Sequence, residues 1–209
     1  MSTMKTTFYD LFDLTFGKQD PAPRGGAQKQ QIILAAILLS LAFAALYGLA
    51  AGSRSLPLML ANLYKLPMVV LISTVCALPA GTLAWKLSGT EDSLSDVFVR
   101  HVSAVLAGTA VLLVLAPLLA LYYQTSAWAG PMIAIGGSAF AVVVALVQAV
   151  RKTLAGTPEG TSRRAALLPI AVLGFVQLAT LLQLLALAAP IVPEVTAFEH
   201  GVDGIIHGG

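Results

Sequence analysis

Charge is what this chain most lacks. From Val102 to Val150 no Asp, Glu, Lys or Arg occurs, and of all 209 residues 11% are charged while 57% are hydrophobic. Soluble domains run near a quarter charged, so a water-facing fold is excluded and lipid is the expected solvent. Cysteine is almost absent as well. Cys76 stands alone, which excludes an internal disulfide and any paired-cysteine metal motif. Its place within an apolar span reads as a small residue in a helix interface. A net charge of +2 is too small to recruit nucleic acid. Neither a Gly-rich phosphate loop, nor a Ser-His-Asp constellation, nor paired loop carboxylates occur. The first apolar run begins only near Ile32, after a mixed polar segment, so no cleaved leader is expected.

What is present is a series of apolar stretches. A helix needs about 20 apolar residues to cross the hydrocarbon core. Residues 32–52 supply the first span, 66–85 the second, 102–122 the third, 131–150 the fourth and 165–191 the fifth. Lys65 and Lys86 bracket the second. Between the third and fourth, Tyr122 to Ser126 followed by Trp128 to Pro131 reads as a turn at the membrane interface, with Pro131 in the first turn of the new helix. The expected fold is therefore an all-α integral membrane protein, a five-helix transmembrane bundle. A segment 1–30 precedes the membrane domain 31–192, and a tail 193–209 follows it.

Basic residues alternate sharply between the connections. The N-terminal segment, the second connection and the fourth hold 10 of the 12 Lys and Arg, leaving Arg54 and Lys65 for the other side. By the positive-inside rule the N-terminus is expected in the cytoplasm and the C-terminus outside. Lys65, Trp85, Lys86 and Trp128 are the expected interface anchors, with Lys65 snorkelling outward and Pro67 early in its helix.

Within residues 1–30, Phe8, Leu11, Phe12 and Phe16 fall at helical spacing, with Asp10 and Asp13 on another face and Thr6 or Thr7 as a cap. Interfacial helices usually carry Lys and Arg on the polar face, so the acidic face favours packing on the protein's own loops, with lipid or a partner as the alternative. Gln19 to Gln30, with two prolines and two glycines, reads as a linker.

The spans so drawn contain no Asp, Glu, Lys, Arg or His, which weighs against proton relays and ion-coupled carriers. Gln177, Thr180 and Gln183 progress by threes and form a candidate polar intramembrane face on the fifth span. That face either lines a path or hydrogen-bonds to neighbouring helices. Small residues recur at four-residue spacing at Gly48 and Gly52, at Ser73, Ala77 and Gly81, at Ala104 and Gly108, and at Gly137, Ala141 and Ala145. These faces let helices approach closely. Pro79 and Pro117 are expected kinks, each removing a backbone donor. Asp92 and Asp96 beside Arg100 read as a helix start with a charge pair at helical spacing. The tail carries Glu199, His200, Asp203 and His207, scattered without the fixed spacing of a metal site. No metal, cofactor or catalytic residue is expected.

Tyr47-Gly48, then Tyr64-Lys65-Leu66-Pro67, Leu78-Pro79, Gly89 and Leu115-Ala116-Pro117 resemble a family of uncharacterised multi-spanning bacterial membrane proteins. The resemblance covers roughly residues 47–117. It implies a Y-G element closing the first span, a K-x-P element opening the second, and an L-A-P element late in the third. The layout, a cytoplasmic N-terminus before five spans, is also similar to Yip1-like proteins, whose D-L-Y-G-P motif this chain lacks. Neither likeness carries an active site. The expected function is a non-enzymatic scaffold or accessory subunit, its partners being membrane lipid and other membrane proteins or further copies of itself, in a bacterial inner membrane. The alternative is a channel or facilitative transporter using the Gln177, Thr180 and Gln183 face. An enzyme would need His101 to converge with Glu91, Asp92 or Asp96.

Overall fold

The computed structural model describes residues 2–17, 25–90, 92–126, 128–157 and 162–188, the side chains of 2–8 and 185–188 excepted. Among these residues there are helices and no strands: α1 Ser2–Phe16, α2 Gly26–Ala51, α3 Leu56–Ser88, α4 Leu94–Thr125, α5 Ala129–Gly156 and α6 Arg163–Ala188. The five from α2 to α6 are long and apolar enough to cross a membrane. In each, only 17% to 39% of the apolar window is buried, so most of its hydrocarbon faces outward. A helix apolar on its outer face as well needs lipid around it.

Short connections make consecutive helices antiparallel, and α2 to α6 close into a ring. α2 packs on α3, α3 on α6, α6 on α5, α5 on α4, and α4 returns to α2. The seam between α5 and α6 is much the thinnest of these. Small residues set the crossings, as their spacing predicts. A Cβ added to Gly48 would sit on the Asn62 carbonyl of α3, and one added to Gly81 on the Leu173 side chain of α6. One added to Gly108 would come within 2.9 Å of the Ala141 carbonyl of α5.

Helix starts fall earlier than the apolar runs indicate. α3 begins at Leu56 because the Ser55 side chain accepts the Leu58 amide at 3.3 Å and Pro57 occupies the first turn, where no donor is needed. Lys65 and Pro67 consequently lie well inside α3 and do not open it. The helix ends at Gly89, whose φ of 62° is a left-handed cap that favours glycine. α4 begins behind Ser93, which accepts the Asp96 amide at 3.2 Å and donates its hydroxyl to the Asp96 carboxylate. Arg100 and His101 are thereby part of α4. α2 begins at Gly26, within the stretch expected as a linker. The α4–α5 turn falls where the aromatic and proline signals place it.

α3 runs on through Pro67 and Pro79, α4 through Pro117, and α6 through Pro169. None of them splits its helix into the two half-helices that a discontinuous-helix binding site requires. Cys76 is exposed on α3, so its expected place in an interface within the bundle is corrected.

α1 lies at the end of the bundle where α2 and α4 start and α5 stops. Leu11 and Leu14 are buried and join Ile32 and Ala36 of α2 and Val99 and Val102 of α4 in one cluster. The Lys152 ammonium of α5 donates to the Leu14 carbonyl and, at 3.4 Å, to the Gly17 carbonyl, while Gln28 donates to Asp10 at 2.7 Å. A cation thus meets the carbonyls left open at the C-terminus of α1. The expected apolar face is corrected here. Leu11 turns inward, joined by Leu14, but Phe12 and Phe16 are exposed with rings 5.0 Å apart, and Tyr9 beside them is exposed too. Leu11, Leu14 and Thr15 are the i, i+3, i+4 stripe that two neighbouring helices can cover. Since α1 starts at Ser2, Thr6 and Thr7 are interior positions, not caps.

Candidate functional site

The closed ring of spans is not packed solid at its centre. Because the facing positions are so often Ala or Gly, a cavity of ≈ 110 Å³ remains along the axis, lined from all five helices. Ala44 and Tyr47 come from α2, Leu66 and Val70 from α3, Ala104 and Gly108 from α4, Ala141 and Ala145 from α5, and Gly174 and Gln177 from α6. Its wall is chiefly hydrocarbon. His101, Thr109, Tyr47, Ser138 and Gln177 are the polar side chains on it.

Most of these polar groups are engaged. Tyr47 donates to the Ala134 carbonyl at 3.0 Å and meets the Ser138 side chain. Thr109 donates to the Leu106 carbonyl one turn back at 3.1 Å. Gln177 donates to Thr74 Oγ1 at 2.9 Å. His101 differs. It is 3% exposed, and its Nε2 has no hydrogen-bond partner.

The polar face expected on the fifth span does not stay together. Steps of three residues on a helix of 3.6 per turn drift by about 60° each. Gln177 therefore reaches the cavity and Thr74, Gln183 is exposed, and neither Thr180 nor Gln183 lines the cavity. Of the expected anchors, Trp128 is 73% exposed and Lys86 is exposed in the last turn of α3. Trp85 is half-buried and donates its indole N–H to the Asp92 carbonyl at 2.8 Å, and Lys65 is half-buried.

Nor do His101 and the described acidic residues Asp92 and Asp96 pair with one another. Asp92 receives both guanidinium nitrogens of Arg100, at 2.7 and 3.3 Å, and Asp96 pairs with Lys29 at 2.7 Å. Asp96 keeps the favourable charge interaction with Arg100 expected at helical spacing, and the guanidinium's hydrogen bonds reach back across the cap to Asp92, whose carbonyl accepts the Trp85 indole N–H. Glu91 and the tail residues Glu199, His200, Asp203 and His207 lie outside the described residues. Among the described residues no group of three His, Cys, Asp or Glu could hold a metal.

Sequence reading placed His101 outside the third span, because the charged Arg100 beside it looked like a boundary. The signal for its true place was nonetheless present. His101, Ala104, Val105, Gly108, Thr109 and Leu112 recur at three- and four-residue steps and form one stripe of α4. One residue ahead of the third span as drawn, His101 thus adds a buried imidazole to the interior of α4.

Fold and cavity together define a polytopic α-helical membrane protein whose spans surround an apolar chamber. Compared with known protein families, curated proteins and solved structures, the chain matches none of them. The likenesses drawn from residues 47–117 and from the Yip1-like layout accordingly transfer no function.

Proposed function

We propose that the protein is a non-enzymatic membrane scaffold or accessory subunit, packing against further copies of itself or against other membrane proteins. The observation that carries this reading is the fate of Gln177. The one polar residue of the expected path that reaches the interior is bonded to Thr74, and the three residues do not line a common route. The surface that supports association is the outer side of α5, the least buried span, where Ile135, Phe140 and Val143 are exposed and Gly136 meets open space. Glycine beside apolar side chains on a lipid-facing helix lets a second helix approach closely.

The test is purification from native membranes in mild detergent with mass spectrometry of what stays bound. A stoichiometric membrane protein or a stable homo-oligomer is expected, and Gly136→Leu with Val143→Trp should dissolve it. A lone monomer that conducts solutes in liposomes would favour the channel or facilitative transporter. That alternative draws support from the cavity lined by residues of all five spans.

The orientation belongs to the same reading: α1 in the cytoplasm, the α4–α5 turn outside, in a bacterial inner membrane. Its support is the distribution of Lys and Arg. In a Cys76→Ser background, a membrane-impermeant maleimide should label Trp128→Cys in intact cells and Thr90→Cys only after permeabilisation. The reverse pattern would invert the topology.

A further inference from the structure

We propose that Tyr9, Phe12 and Phe16 of α1 form a lipid-binding stripe, seated at the boundary between headgroups and acyl chains of the bilayer around the bundle. The side of α4 that α1 covers is the first reason. Ser103 and Leu121 stand about five turns apart, so they share one side of that helix. Leu121 is 57% exposed and Val114, on the same side, is exposed as well, which makes this a lipid-facing side. Near the start of α4 it is covered instead. Ser103 is 1% exposed, and Val99 is buried in one cluster with Leu11 and Leu14. α1 therefore lies against the outer side of the ring, where the surroundings are acyl chains and headgroups.

The roll of α1 about its own axis follows from two contacts at different depths. Asp10 accepts from Gln28 in the first turn of α2, at the water end of the bundle. Leu11 shares a cluster with Ile32 and Ala36, about one and two turns deeper. The Asp10 flank of α1 thus points to water. Phe12 lies about 160° round the helix from Asp10, and Tyr9 and Phe16 fall within ~60° of Phe12. The aromatic stripe consequently turns toward the hydrocarbon, away from the level of the Lys29–Asp96 pair.

The chemistry of the stripe fits that depth. The Phe12 and Phe16 rings, 5.0 Å apart, present a continuous apolar edge, and Tyr9 beside them offers a hydroxyl to the headgroup layer. From Tyr9 to Gly17 there is no Lys or Arg, and Asp13 is exposed. Attraction to anionic headgroups is therefore not what seats the stripe. Apolar burial is, so the lipid class is neutral or zwitterionic. The contact stands whether or not α5 pairs with another protein.

The test uses the full chain in phosphatidylcholine nanodiscs. In a Cys76→Ser background, nitroxides on Phe12→Cys and Phe16→Cys should respond more to oxygen, which concentrates in lipid, than to a water-soluble nickel chelate. On Asp13→Cys the order should reverse. A second measurement leaves α1 unlabelled: phosphatidylcholine with a diazirine near the carbonyl end of one chain should crosslink to α1 of the unmodified protein. Phe12→Asp with Phe16→Asp should cut that crosslinking roughly tenfold, because two charges replace two lipid-buried rings. Leu11, Leu14 and Lys152 still hold α1 to the bundle in that variant. Nickel preference at positions 12 and 16 would place the stripe in water and overturn the proposal. Protection from both reagents there would mean that a protein partner or a second copy covers it, and would overturn it too. So would crosslinking that persists undiminished in the double variant.

Discussion

Gln177 of α6 donates to Thr74 Oγ1 of α3 at 2.9 Å, and Thr74 in turn donates to the Val70 carbonyl at 2.7 Å. The chain ties the last span to the second through one side-chain bond. Interhelical bonds in lipid average about 0.6 kcal/mol, because polar groups find other partners when the helices separate. A double-mutant cycle with Gln177→Leu and Thr74→Val, read by unfolding in mixed detergent, should give a coupling near that value. A coupling indistinguishable from zero would show that the bond does not hold α6 to α3.

Two glycines should respond oppositely to alanine. At Gly48 the new methyl meets the backbone of Asn62, which cannot swing aside, so α2 and α3 must separate. Overpacking of this kind costs about 1–3 kcal/mol. Gly136 faces open space, and there alanine should be neutral or stabilise by up to ~1 kcal/mol through helix propensity. Unfolding midpoints of the two variants, measured together, check the close approach of α2 to α3.

Lys152 holds α1 by its C-terminal carbonyls. Hydrogen bonds to a charged group contribute about 1.5–3 kcal/mol. Lys152→Met should raise amide hydrogen exchange throughout α1 while α3 and α4 keep their protection. Leu14→Ala should act the same way by removing the buried contact. Unchanged exchange in both variants would mean that α1 is held by other contacts.

The two ion pairs at this end of the bundle should differ in weight. Arg100 and Asp92 side chains are 7% and 14% exposed, and Asp92 is fixed further by Trp85. Removing one member leaves the other charge buried, at a cost of about 3–5 kcal/mol. Lys29 and Asp96 are 18% and 35% exposed, where water screens the pair and its loss costs under about 1 kcal/mol. Arg100→Leu should therefore destabilise the bundle far more than Lys29→Met in thermal unfolding. Equal effects would contradict the burial of the first pair.

Number and approximate position of the spans were legible because hydropathy is a local property that sums along the chain. The small residues were equally plain, and the structure uses Gly48, Gly81 and Gly108 at crossings as their spacing implies. Helix ends were less legible. Arg100 looked like a membrane boundary, yet a charge paired with Asp92 lets α4 run on past it. The capping serines at positions 55 and 93 were visible, but an apolar window gives them no weight.

The sequence by itself determined that this is a bundle of five apolar helices with few charges to place. Tertiary structure alone decided which side of each helix turns inward. It put His101 on the wall of a chamber, sent Gln177 to Thr74 and Gln183 to the surface, and turned Leu14 under the bundle and Phe12 away from it. The reason is physical. In a span apolar on every side, hydrophobicity carries no phase, so the facing side is chosen by close packing against partners distant in sequence.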